Sequence, residues 1–178
     1  MKKSNIIAIC VCVAVAIVIV MIFLFADKPI DGPNLINGFT DKDDDKVMLV
    51  EYTSKRTGTY NNDGYQKTVL YQNKDGSCEV HFYAMNVGDE KEAHSAYRVE
   101  KQIISEVYKI INDNKLVKWN KKYKDFGLDG GYYSVRFRNS DGTYVTVDSD
   151  RMPDDGQRIM GSIDVKIRSM TYTKDEIK

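Results

Sequence analysis

The chain has 178 residues, and 26 Lys plus Arg balance 26 Asp plus Glu, so the formal net charge is zero. With no overall charge, nucleic acid is not an expected partner, and any polyanion has to be met by a local patch. Of the three cysteines only Cys78 lies beyond residue 26, which excludes a disulfide framework in the rest of the chain.

Residues 1–5 form a basic tip with Lys2 and Lys3, and residues 6–26 run without a charge, Asn, Gln or Pro. At ~1.5 Å rise per residue, roughly twenty apolar residues span the ~30 Å hydrocarbon core. A helix is the local way to satisfy their backbone in lipid. The lysines before the run, with Asp27, Lys28 and Asp31 after it, predict a single-pass membrane protein. By the positive-inside bias its N-terminus is cytoplasmic and its C-terminal part lies outside. A cleaved signal peptide is the rival reading, but the run exceeds the usual ~7–15 residue apolar region, which favours a retained signal-anchor.

Residues 27–46 read as an acidic flexible linker, with Pro29, Gly32, Pro33 and Gly38 before the run Asp41 to Lys46. Asp41, Asp43 and Asp45 have the alternation of a calcium loop, yet the loop's Gly and final Glu are missing, so a solvated tether is expected.

Residues 47–178 are long enough for one domain with its own core. A strand is predicted over 47–54. Strands at 68–72 and 78–85 flank Asn73-Lys74-Asp75-Gly76, a hairpin signal. An even-length loop there puts Val69 and Tyr71 on the face of Cys78, Val80 and Phe82. Residues 89–114 predict one long helix, with Asp89 as N-cap and Ala93, Ala96, Val99, Ile103, Val107 and Ile111 on one side. A short strand is predicted at 116–119. Strands at 132–138 and 143–147 flank Asn139-Ser140-Asp141-Gly142, where a three-residue loop with a bulge at Gly142 makes the faces match. Residues 162–171 predict a closing strand with Ile163, Val165 and Ile167 inward.

An ordered set of landmarks occurs twice: Leu49 to Tyr52, Asp63-Gly64, Thr68-Val69 and Asn73-x-Asp75-Gly76, then Leu116 to Trp119, Asp129-Gly130, Ser134-Val135 and Asn139-x-Asp141-Gly142. This predicts two three-stranded meanders joined by the helix, hence an α+β domain with an antiparallel sheet covered on one face. Trp119, the run Leu128 to Val135, Asp141-Gly142 and Met152-Pro153 together resemble small membrane-anchored or lipoprotein-type outer domains of low-GC Gram-positive bacteria. The resemblance implies a fold and a location, and it carries no catalytic residue over.

No nucleophile elbow, phosphate loop, dinucleotide fingerprint or zinc ligand set is present, and no cofactor is expected. Strand parity separates Cys78 from His81, and His94 falls on the polar side of the predicted helix. Glu100 falls inside its apolar arc, where a raised pKa would suit an acid or base, although such a carboxylate is usually paired. The uncovered sheet face is the favoured site. By alternation it shows Arg136, Arg138, Tyr144, Lys166 and Arg168, with His81 and Tyr83 nearby. Basic groups among aromatics suit an anionic envelope polymer, a sugar chain or a protein partner, though a solvated sheet face has the same look. A second basic-aromatic stretch, from Lys115 to Phe126, faces the same choice between an anionic surface and a solvated loop. The expected function is a binding module at the cell envelope. The alternatives are a carboxylate hydrolase using Glu100 and an Asp of residues 148–155, or a structural subunit of a membrane complex.

Overall fold

Alternation of apolar and polar residues is realised in six strands. The computed structural model describes residues 45–56, 64–86, 88–119, 131–149, 152–171 and 176–177. The expected transmembrane helix at 6–26 and the linker up to residue 44 lie outside the described residues. Among the described residues no helix is long and apolar enough to cross a membrane.

The strands are β1 (Lys46–Arg56), β2 (Gly64–Asn73), β3 (Cys78–Met85), β4 (Ala93–Val99), β5 (Tyr132–Arg138) and β6 (Tyr144–Asp148). They form one antiparallel sheet in the order β4-β3-β2-β1-β5-β6. Two helices, α1 (Gln102–Asp113) and α2 (Gly156–Ser169), pack side by side on one face, with α2 over β1, β2 and β5. The architecture is therefore α+β with a helix-covered antiparallel sheet.

The two-meander expectation is corrected. β1 to β4 make one continuous meander, and the β5–β6 hairpin adds to the free edge of β1. The predicted helix at 89–114 divides, because residues 93–99 pair with β3 as an edge strand and the helix begins only at Gln102. Ser95, Tyr97 and Val99 oppose Phe82, Val80 and Cys78, so pairing with β3 overrides the weak helical spacing of the alanines. The segment 116–119 is a tight helical turn rather than a strand, with Leu116 and Trp119 both buried and the Trp119 indole donating to the Asn114 carbonyl at 3.1 Å.

The predicted strand at 162–171 is overturned as well. Ile163 and Ile167 are fully buried and Val165 is 66 % exposed. With Ile159 and Met160 they repeat at helical spacing, whereas three alternate residues alone could not separate strand from helix.

The two hairpin turns are the same structure. Asn73 N–H donates to Ser77 O at 2.9 Å and Asn139 N–H to Thr143 O at 2.7 Å. Gly76 (φ +83°) and Gly142 (φ +87°) occupy the left-handed position of a three-residue loop. Asp75 accepts from the amide and hydroxyl of Ser77, and Asp141 does so from Thr143. The register of the first hairpin is thus corrected: Leu70 and Gln72, not Val69 and Tyr71, share the core face with Val80 and Cys78. The three-residue loop expected at Gly142 is present, with Val135 opposite Val147 and Phe137 opposite Val145.

The core lies between sheet and helices. Val50, Leu70, Val80, Val135 and Phe137 meet Ile103, Val107 and Ile111 of α1 and Met160, Ile163 and Ile167 of α2. Each such side chain contributes about 1.5–3 kcal/mol on burial. β1 carries a bulge at Leu49, between Met48 and Val50. Tyrosines reach it from both faces: Tyr108 of α1 donates to Arg138 O at 2.5 Å and shares its proton with Leu49 O at 3.3 Å, and Tyr144 donates to Met48 O at 3.0 Å.

Candidate binding face

Side chains that alternate away from the core line the uncovered face. On the central strand β1 these are Glu51, Thr53 and Lys55. Register sets Thr53 beside Lys67 and Ser134, and Lys55 beside Tyr65 and Tyr132. These seven residues line an open cavity of about 420 Å³. It offers two ammonium groups, one carboxylate, two aliphatic hydroxyls and two phenol rings.

Four cations on this face lie over rings. Lys67 Nζ lies 4.4 Å from the Tyr83 ring centre, Lys46 Nζ 4.9 Å from Tyr71, Lys55 Nζ 5.9 Å from Tyr132, and the Arg136 guanidinium 4.5 Å from Tyr144. Such pairing fixes a long side chain without cancelling its charge, so Lys55, Lys67 and Arg136 stay available to an anion, while Lys46 also pairs with Glu79 at 3.9 Å. Burial pushes the Tyr71 hydroxyl up to about 12 and raises that of Tyr83, which keeps both neutral hydrogen-bonding groups at physiological pH.

Toward the β4 edge, His81 and His94 approach to 3.0 Å between Nδ1 and Nε2, with Glu79, Tyr71 and Tyr83 around them. His94 was expected on a helix. Its place on β4, opposite Tyr83, follows from the strand at 93–99.

The five residues expected to form one surface separate. Arg136 and Tyr144 are together on the uncovered face. Arg138 is on the same face, opposite Tyr144, but it is only 7 % exposed and its Nε donates to Gly142 O at 3.3 Å, so it supports the hairpin turn. Lys166 and Arg168 are on α2, across the sheet, because their segment is a helix. Lys166 pairs with Glu106 of α1 at 2.7 Å. Arg168 binds Asp164 at 2.8 Å and Thr68 at 3.2 Å, and its guanidinium covers the Phe82 ring at 4.6 Å. Lys55, Lys67, Tyr65, Tyr132 and Ser134 were not singled out, although the polar alternation Glu51-Thr53-Lys55 within an apolar strand was the signal for them.

Glu100 is exposed between β4 and α1, outside any apolar arc, with its carbonyl accepting from Ile103 N–H at 3.1 Å. It follows β4, and Asp148 ends β6, so the two stand at opposite edges of six strands, roughly 24 Å apart at ~4.8 Å per strand. Glu100 and Asp148 do not form a carboxylate pair; of the other aspartates in residues 148–155, Asp155 pairs with Arg158 at 3.1 Å and Asp150 lies outside the described residues. Cys78 is buried on the core face, its thiol pushed up to about 11 by burial, and His81 is on the other face. Residues 120–126 of the second basic stretch lie outside the described residues.

Comparison of the sequence with models of known protein families and with characterised proteins finds no match.

Proposed function

We propose that the part of the chain beyond residue 46 is a binding module, held at the outer surface of the cell membrane by residues 6–26. Its uncovered sheet face receives an anionic, hydroxyl-bearing envelope polymer. The observation that carries this is the cavity over β1, β2 and β5. Lys55 and Lys67 supply positive charge, Thr53, Ser134 and Glu51 supply partners for hydroxyl groups, and Tyr65 and Tyr132 supply flat surfaces for ring or polyol stacking. The opposite face is filled by helices, so a ligand has one broad side of the sheet to use.

The test is co-sedimentation of the full-length protein, in neutral detergent, with isolated cell envelopes at low and high salt. A Lys55→Ser/Lys67→Ser variant is compared with Arg158→Ser, whose side chain on α2 is 77 % exposed. Binding that weakens with salt, is lost in the double variant and survives in Arg158→Ser is the expected result. Equal loss in both variants, or binding abolished by prior protease treatment of the envelopes, overturns the polymer reading.

A further inference from the structure

The histidine cluster at the β4 side of the sheet adjoins the cavity through Tyr83, whose ring lies under Lys67, and its geometry suits a ligand of another kind. We propose that His81 and His94 bind a first-row transition-metal ion, preferentially Cu²⁺, through Nδ1 of His81 and Nε2 of His94, with the Tyr83 hydroxyl as a weak third donor.

The first support is a distance. Two imidazole nitrogens each ~2.0–2.1 Å from one ion are ~2.9 Å apart at a right angle and ~3.3–3.4 Å apart at the tetrahedral angle. His81 Nδ1 and His94 Nε2 are 3.0 Å apart, close to the right angle of the tetragonal N,O sets that Cu²⁺ and Ni²⁺ prefer. Tyr83 Oη stands 3.4 Å from the same His81 nitrogen.

The second support is on the far side of the His81 ring. Its Nε2 is 3.3 Å from Glu79 Oε2, and Glu79 is itself held by Asn73 Nδ2 at 3.0 Å. A carboxylate that accepts the Nε2 proton leaves the Nδ1 lone pair directed at His94, which is the outer arrangement that metal-ligating histidines commonly have. Lys46 Nζ is 3.5 Å from Nε2 and 3.9 Å from Glu79. If Lys46 donated to Nε2 instead, Nδ1 would carry the proton and would have to lose it to bind an ion; without an ion the two rings share a hydrogen bond in either tautomer.

The third support is the contrast in exposure. His81 is 7 % exposed and fixed between the rings of Tyr71 and Tyr83, whereas His94 is exposed on an edge strand. One preset ligand and one accessible ligand leave the ion a route from solvent. Among the described residues no three His, Cys, Asp or Glu side chains gather for a metal, so the protein donors are two imidazoles and one phenol, and water completes the set.

Cu²⁺ is titrated into the full-length protein at pH 7.5, with affinity read by competition and ligands by electron paramagnetic resonance. One ion per chain with two-nitrogen hyperfine structure is expected. His94→Ala should weaken binding at least about tenfold and remove that structure, while Tyr83→Phe weakens it less. Unchanged affinity or unchanged hyperfine structure in a folded His94→Ala overturns the proposal. The unaltered protein gives a second reading that needs no variant. Substoichiometric Cu²⁺ should broaden the imidazole resonances of His81 and His94 before any others, and broadening that begins at the amino terminus or the cysteines refutes the site.

Discussion

Removing one oxygen tests how the sheet is held at its bulge. In Tyr108→Phe the ring stays in the core, where Tyr108 is 1 % exposed, and the donor to Arg138 O and Leu49 O is lost. The single proton favours the 2.5 Å partner on β5, and the 3.3 Å partner at the bulge takes a lesser share. Both carbonyls belong to a region where water has little access, so the cost is that of buried acceptors left without a donor, about 1–3 kcal/mol. For a domain of this size that lowers the thermal midpoint by roughly 3–10 °C. Urea unfolding followed by near-ultraviolet circular dichroism should show a lower midpoint with the slope unchanged. Burial raises the Tyr108 hydroxyl pKa, so the wild-type group stays protonated and the difference should persist from pH 6 to 9. A midpoint equal to or above wild type refutes the assignment of this hydroxyl as the support of the bulge.

Ile163→Ala should cost about 2–5 kcal/mol while Val165→Ser stays within about 0.5 kcal/mol, because only the first side chain is buried; comparable losses in urea midpoint would speak for a strand there. Hydrogen bonds from the Ser77 and Thr143 side chains, then from their amides, hold the Asp75 and Asp141 carboxyls below the usual range. A depressed carboxyl stabilises the fold above its unfolded pKa, and that stability is lost as pH falls through the folded pKa. Asp75→Ala/Asp141→Ala should therefore show a smaller drop in urea midpoint between pH 5 and 3 than wild type, and an identical drop would count against these turns. Gly142→Ala should lower the thermal midpoint more than Gly76→Ala. Both carry positive φ, worth ~1–2 kcal/mol, but only at Gly142 would the added methyl press on the Arg138 guanidinium, at 3.1 Å; the reverse order would contradict the packing described.

The class of fold was legible because β1, β2, β3, β5 and β6 each keep a two-residue period next to a turn of fixed chemistry. The face of the first hairpin follows from comparison with the second. Asn73-Lys74-Asp75-Gly76-Ser77 and Asn139-Ser140-Asp141-Gly142-Thr143 make identical loops, so the odd count recognised at the second applied to the first. Residues 93–99 and 162–171 differ from their expected elements for a physical reason. A seven-residue edge strand draws its stability from a partner that local spacing does not reveal, and Ile163, Val165 and Ile167 fit two periods until Ile159 and Met160 are added. The site was affected in turn: placing α2 as a strand brought Lys166 and Arg168 to the wrong side, and placing β4 as a helix separated His94 from His81.

The strand order bears on how the chain acquires its structure. Among the described residues β1 is the first strand to be made, and it occupies the middle of the sheet, between β2 and β5. The meander β1 to β4 needs only short-range closure, and closing such loops is fast. The other edge of β1 has no partner until Tyr132–Arg138 arrives, after the whole of α1 has been made. A chain emerging from its N-terminus therefore passes through a stage in which the β1 edge from Val50 to Lys55 is an open template for any extended segment. The opposite margin closes last of all, when Ile177 N–H donates to Ala96 O at 2.7 Å on the outer edge of β4. Delay or truncation after β4 leaves both margins unpaired, and an intermediate of that form is the one to seek in pulse-labelled hydrogen exchange.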